Sequence, residues 1–254
     1  MSNKLSSFGA KTIEIAVIEF GEPQSWDAMD LALAVLNRYD WLIFASANAV
    51  EAVRSRSITL GVNLSSTKAK IAAIGSATAR ALADRGMIVS FKPTSFVAER
   101  FVAEFAEQHQ VSQQRILWPR TNVGKTLIAD RLKELGAIVD TVEAYSTNLP
   151  VDAETVANRL FKLFLDHEID VVTLASSQTA KNFFELLKTG YATTAGAEPN
   201  LDKEIGKILE NVLIAAIGPV TAETVRSLFG RVDIEAGDHT SEGLVVSLVK
   251  HFAK

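Results

Sequence analysis

Two stretches of this chain repeat one another. Asp40-Trp-Leu-Ile-Phe-Ala-Ser-Ala-Asn-Ala-Val50 reads like Asp170-Val-Val-Thr-Leu-Ala-Ser-Ser-Gln-Thr-Ala180, and Ile71-Ala-Ala-Ile-Gly-Ser-Ala-Thr-Ala79 reads like Ile214-Ala-Ala-Ile-Gly-Pro-Val-Thr-Ala222. A short apolar run that ends in small polar residues and opens into a helix-period stretch is a β-strand feeding a helix. Two long copies of such a unit make twin domains, whereas a solenoid stacks three or more short repeats. The interval from Ser46 to Gly75 is 29 residues and that from Ser176 to Gly218 is 42. The extra residues are expected at Tyr191 to Asp202, which is rich in Thr, Ala, Gly and Pro.

Around these copies strand-like runs alternate with helix-period ones. The strands are expected at Ile13–Glu19, Trp41–Ala45, Ile71–Ile74, Arg115–Trp118, Ala137–Tyr145, Val171–Ala175, Leu213–Ile217 and Val232–Glu235. Helices are expected to include Val50–Arg56, Thr78–Asp84, Val97–Glu107, Thr126–Leu135 and Glu223–Phe229, with Gly86, Gly136 and Gly230 just past three of their ends. The alternation predicts an α/β protein of two similar small domains with parallel, helix-flanked sheets. The polar, Pro-terminated Tyr145–Pro150 reads as a crossing between them. The expected division is residues 1–20 as an N-terminal piece and linker strand belonging with the second domain, 21–144 as an inserted domain, 145–152 as the return linker, and 153–254 as the second domain.

Composition excludes several classes of function. There is no cysteine among 254 residues, so no thiol nucleophile, thiolate metal site or disulfide is available. The four histidines are scattered without metal-ligand spacing, and no metal is expected. A net charge of -4 argues against non-specific nucleic-acid binding, and the apolar runs are strand-sized, too short for a membrane span. The polar start, Met1 to Gly9, lacks the apolar core of a secretion signal, so a cytoplasmic protein is expected.

In open parallel sheets ligands gather at the carboxyl ends of strands, where helix N-termini present unpaired N–H groups and partial positive charge. Four such ends carry small polar residues here: Ser46, Ala47 and Asn48; Gly75, Ser76 and Thr78; Ser176 and Ser177; Gly218 and Thr221. Together they suit an anion with several carboxylates or phosphates. The same residue types are also the commonest helix caps, which need no ligand. Arg120, after Trp118-Pro119, is placed either to pair with a ligand carboxylate or to stand solvated at a helix start. Tyr145 offers a phenol at the domain crossing, or simply anchors the linker. Neither glycine motif is a dinucleotide or phosphate loop.

The ordered set Tyr39-Asp-Trp-Leu-Ile-Phe-Ala-Ser-Ala-Asn-Ala-Val50, Ala73-Ile-Gly-Ser-Ala-Thr-Ala79, Leu117-Trp-Pro-Arg120, Leu132-x-x-x-Gly-Ala137, Val142-x-x-Tyr145, Ala215-Ala-Ile-Gly-Pro-x-Thr-Ala222 and Thr240-Ser-Glu-Gly-Leu244 resembles the uroporphyrinogen-III synthase family. The resemblance implies two α/β domains on a two-stranded linker with the active site in the cleft between them. It implies a cofactor-free cyclisation of linear hydroxymethylbilane to uroporphyrinogen III, in which a hydroxyl departs as water and ring D is inverted through a spiro intermediate. A monomer is expected, with a transient contact to porphobilinogen deaminase. By the resemblance Tyr145 is the acid for hydroxyl departure, and Thr78, Ser176 and Thr221 match further family positions. In the family's Thr-Ser pair this chain has Ala45-Ser46, so only Ser46 carries over.

Such chemistry asks a protein mainly to hold a conformation and shield a cation from water, which agrees with the scarcity of acid–base residues. By the family pattern a strand and helix are expected before Ile13, and Lys4–Ile15 reads as that helix's last turn, so the domain formed with the C-terminal half is expected to be one strand short, through either a truncated start or an adapted architecture. Two other readings stand beside the cyclase: a non-catalytic cleft protein binding a small anion or sugar acid, and a nucleotide-dependent transferase, disfavoured by the missing phosphate loops.

Overall fold

The computed structural model describes residues 1–95, 98–124, 126–196 and 200–253. Val97, the expected start of one helix, and residues 197–199 of the expected insertion lie outside the described residues. The chain divides into two compact units, Phe20–Thr147 and a unit made of Met1–Glu19 with Asn148–Lys254. It opens with α1 (Ser2–Ser7), whose Leu5 packs on the second unit's smaller core. From there to Ile18 it runs without strand pairing.

The first full unit begins at β1 (Glu19–Gly21) and continues through α2 (Asp27–Ala34), β2 (Trp41–Phe44), α3 (Ala47–Thr59), β3 (Lys70–Ala73), α4 (Ser76–Ala83), β4 (Val89–Phe91), α5 (Ala98–Gln108), β5 (Arg115–Thr121), α6 (Leu127–Glu134) and β6 (Ile138–Asn148). Its six strands lie in the order β1-β6-β5-β2-β3-β4. The β2–β3, β2–β5, β3–β4 and β5–β6 pairs are parallel. β2 sits inside this sheet and all four of its residues are buried, as an apolar run covered on both faces requires. Val142 and Ala144 of β6 face the core built with α2, α3 and α4, while Val139 faces the core built with α5 and α6.

The other unit runs through α7 (Ala153–Leu165), β7 (Val171–Leu174), α8 (Ser177–Ala195), α9 (Leu201–Ile208), β8 (Leu213–Ala216), α10 (Pro219–Phe229), β9 (Ile234–Glu235) and α11 (Ser241–Phe252). Its sheet has three parallel strands, β7-β8-β9. Much of the longer spacing in this copy is helix: α8 has 19 residues against 13 in α3, and α9 follows. Gly86, Gly136 and Gly230 all have positive φ just beyond helices, and Gly230 caps α10 in the left-handed conformation.

One expected strand is corrected. Residues 13–18 are not in a sheet, and pairing starts only at Glu19. Ile15, Val17 and Ile18 are instead held by their side chains against the core of α7 and α8. The Val17 carbonyl accepts a 2.8 Å hydrogen bond from the amide of buried Asn182, so its backbone need is met by a side chain rather than a ladder. Among the described residues no helix is long and apolar enough to cross a membrane.

Candidate functional site

The strand ends carry helix starts as the repeat predicts, and the two kinds of cap differ. Ser46 holds extended backbone and its Oγ accepts from the Ala49 N–H at 3.1 Å, capping α3. Ser176 does the same for α8 through the Thr179 N–H at 3.0 Å. Both serines are therefore caps in fact. At α4 and α10 the cap residues are Gly75 and Gly218, and neither helix has a side-chain cap hydrogen bond. Their first-turn amides thus lack the partner that a serine would supply.

The two glycines have different reasons to be glycine. A Cβ on Gly218 would come within 2.9 Å of the His239 ring, so internal packing demands its absence. A Cβ on Gly75 would meet only Thr78 Oγ1 at 3.8 Å, an ordinary contact. Packing within the unit therefore leaves Gly75 unexplained. Thr78 and Thr221, three residues beyond their glycines, are both buried, whereas Ser76 is exposed. Ala47 and Asn48 occupy the half-buried first turn of α3.

Tyr145 reaches Ser46: the phenol oxygen and Ser46 Oγ are 3.1 Å apart, joining residues 99 apart in sequence. Strict alternation along β6 would place Tyr145 opposite Val142 and Ala144, on the face of α5 and α6. Instead the β5–β6 register slips between Arg120 and Thr121, so that Arg120 pairs with Glu143 and Thr121 with Tyr145. The slip is a β-bulge, and it turns Tyr145 onto the core that contains α3. Phe20 of β1 packs edge-on against the same ring, 5.9 Å between centroids.

Arg120 is partly committed. Its Nη2 donates to the Val123 and Gly124 carbonyls at 2.9 and 2.6 Å, and its guanidinium lies 5.3 Å from the Trp118 ring centre. It braces the loop after β5. In the other unit Ser177 Oγ donates to the Val220 carbonyl at 3.1 Å and accepts from Thr224 Oγ1 at 2.8 Å, tying the start of α8 to that of α10. The structure thus brings together Ser46 with Tyr145, and Ser177 with the turn that follows Gly218.

Sequence reasoning missed Phe20, His239, Glu104 and Asn182. Nothing in a linear pattern marks Phe20 or His239, whose neighbours come from strand pairing and from a distant loop. Glu104 is a buried carboxylate on the otherwise apolar face of α5, which is a readable signal. It accepts from the Thr94 N–H at 2.8 Å, from the Thr94 hydroxyl and from Arg100, and these bonds hold its carboxyl below the usual range while pinning the loop after β4.

Two further displacements of acidity lie elsewhere. The Tyr39 phenol is pushed upward, first by burial and then by its bond to Asp140. His109 is pushed downward by burial and then by Lys70. Both flank the amino ends of strands: Tyr39 precedes β2, and the His109 ring lies tilted against Trp41, its first residue, with 4.7 Å between ring centres. Among the described residues no group of three or more His, Asp or Glu side chains is placed to hold a metal ion. What the carboxyl ends offer is a phenol hydrogen-bonded to a capping hydroxyl, and helix starts with open amides.

A duplicated α/β chain with polar helix starts at matching strand ends defines a class of two-unit α/β proteins. The uroporphyrinogen-III synthase HemD profile matches residues 1–246, and the chain belongs to that family. A uroporphyrinogen-III synthase of Synechococcus elongatus is 35% identical over 246 residues, 96% of this chain and 88% of the relative. Another from Chlorobaculum parvum is 24% identical over 235 residues, 91% and 85% of the two chains. Among solved structures, a mutant uroporphyrinogen III synthase of Thermus thermophilus shares the fold with a TM-score of 0.66, 18% identity and coverage of 99% and 92%. The enzyme of Helicobacter pylori does so with a TM-score of 0.60, 19% identity and coverage of 95% and 92%.

Proposed function

We propose that this chain closes linear hydroxymethylbilane to uroporphyrinogen III, with loss of water and inversion of ring D, as a cytoplasmic enzyme that takes its substrate from porphobilinogen deaminase. Beside the family membership, the observation that carries this reading is the bulge that aims Tyr145 at Ser46 and the start of α3. The phenol is the acid that protonates the departing hydroxyl. Pyrrole electrons expel water and leave a delocalised cation, so little further proton transfer is asked of the protein.

The substrate's eight carboxylates are taken up by helix starts in each unit: Ser46, Ala47 and Asn48 on α3; Gly75, Ser76 and Thr78 on α4; Ser176 and Ser177 on α8; Gly218 and Thr221 on α10. Each helix start contributes roughly 0.3–1 kcal/mol per charge, and the local field lets a chain of net charge -4 bind an anion. Arg120 contributes the N–H groups left over from its loop carbonyls. The bilane also closes unaided to the uninverted isomer, so the enzyme's task is to fix the conformation that closes the other way.

The test couples porphobilinogen deaminase to this protein and separates isomers I and III by chromatography. Isomer III is expected to dominate. Isomer I alone, with the protein folded, overturns the proposal in favour of a non-catalytic anion-binding protein.

A further inference from the structure

We infer that Ser46 is a positioning residue for the acid: its hydroxyl donates to the Tyr145 oxygen, fixing the phenol proton toward the substrate and stabilising the phenolate left after that proton has gone. The inference deepens the cyclase reading and rests on it. Three observations carry it. The Ser46 oxygen already accepts the Ala49 N–H at 3.1 Å, and it lies at the positive end of α3, which makes it a poor acceptor for a second donor and leaves its own hydrogen to give. The Tyr145 oxygen, 3.1 Å away, lies within reach of that hydrogen. In the other copy the matching Ser176 hydroxyl has a hydroxyl partner in its own helix, Thr179 Oγ1 at 2.7 Å, whereas the first copy has Ala49 there and offers none.

The step balances. The phenol proton moves to the hydroxyl oxygen of the bilane as the C–O bond breaks, and water leaves with the bond's electron pair. The positive charge spreads over the pyrrole system, while Ser46 and the first turn of α3 hold the phenolate. The proton released when the closing ring regains aromaticity returns to Tyr145, so substrate becomes macrocycle plus water.

A merely structural cap would show itself in stability alone, so the experiment is a double-mutant cycle. Ser46→Ala and Ser46→Thr are compared in the native chain and in Tyr145→Phe, measuring kcat and KM for isomer III formation beside melting. Ser46→Gly, which caps almost as well as serine but has no hydroxyl, serves if the alanine variant folds poorly. In the native background Ser46→Ala and Ser46→Gly are expected to lower kcat about tenfold with KM within about twofold, the size of one charge-assisted hydrogen bond. Ser46→Thr is expected to restore the rate. In Tyr145→Phe the same substitutions should cost nothing further.

Equal fold losses in both backgrounds, with Tyr145→Phe itself slow, overturn the inference and leave the acid assignment standing. A raised KM at unchanged kcat assigns Ser46 to substrate binding and overturns it as well. Near-normal turnover of Tyr145→Phe overturns the acid assignment first.

Discussion

β2 and β7 are copies of one strand in different surroundings. β2 is hydrogen-bonded to β5 on one side and β3 on the other, and all four of its residues are buried. Among the described residues β7 pairs with β8 alone within a three-stranded sheet, and Val171, Val172 and Thr173 are only half-buried. Both nevertheless end in a serine that caps the following helix through the amide three residues on. The cap geometry is therefore a local property of the sequence, independent of the sheet around it. Burial of the strand is not local. The smaller sheet's unit relies instead on helix packing across Leu160, Phe164, Phe183, Leu186 and Leu187, and on the 13–18 stretch laid against it.

The largest effect tests function at the strand ends. Tyr145→Phe should lower turnover by about 10²-fold or more, the usual worth of a positioned acid, while product binding measured by fluorescence changes little. Equal loss of both would return Tyr145 to a packing role.

Next come the cores. Leu117→Ala and Leu187→Ala each remove a fully buried side chain and should each cost about 2–5 kcal/mol. The two units should respond separately. Hydrogen exchange is expected to show lasting protection in β2 and faster exchange in β7, whose free edge opens locally. Uniform protection across both strands would break the comparison.

Asn182→Ala should cost about 1–3 kcal/mol by leaving the Val17 carbonyl without its donor. The loss should appear as faster exchange in α7 and α8 while β2 stays protected.

The smallest effect is a pH dependence confined to the six-stranded unit. His109 packs among Trp41, Phe91 and Phe105 with Lys70 nearby, and its acidity is shifted so that the neutral form is favoured in the fold. Unfolding therefore takes up a proton between the folded value and the ordinary value near 6.5, and stability should decline as pH falls through that window. His109→Phe should flatten that decline in urea titrations at pH 5 and pH 7.

The repeat made most of the fold readable: β2, β3, β7 and β8 stand within a residue or so of the expected places, and a helix follows each of β2, β3 and β8 but opens two to four residues before the periodic stretch that marked it. The Ile13–Glu19 strand was not readable, because a β-branched run shows that a segment is apolar and extended but not whether a neighbouring strand exists to pair with it. Candidate residues were found at helix starts because capping has a short-range signature. The Tyr145–Ser46 contact has none, since regular alternation would have sent the tyrosine to the other face, and only the slip against β5 brings it back. Phe20 and His239 are likewise positioned by partners far away in sequence.

The extra residue in β6 makes parity a functional variable. Adding or deleting one position between Val142 and Tyr145 would flip the ring to the opposite surface of the sheet without altering a single side chain. An indel scan of that short stretch, rather than an alanine scan, is the sharper probe of what the enzyme tolerates.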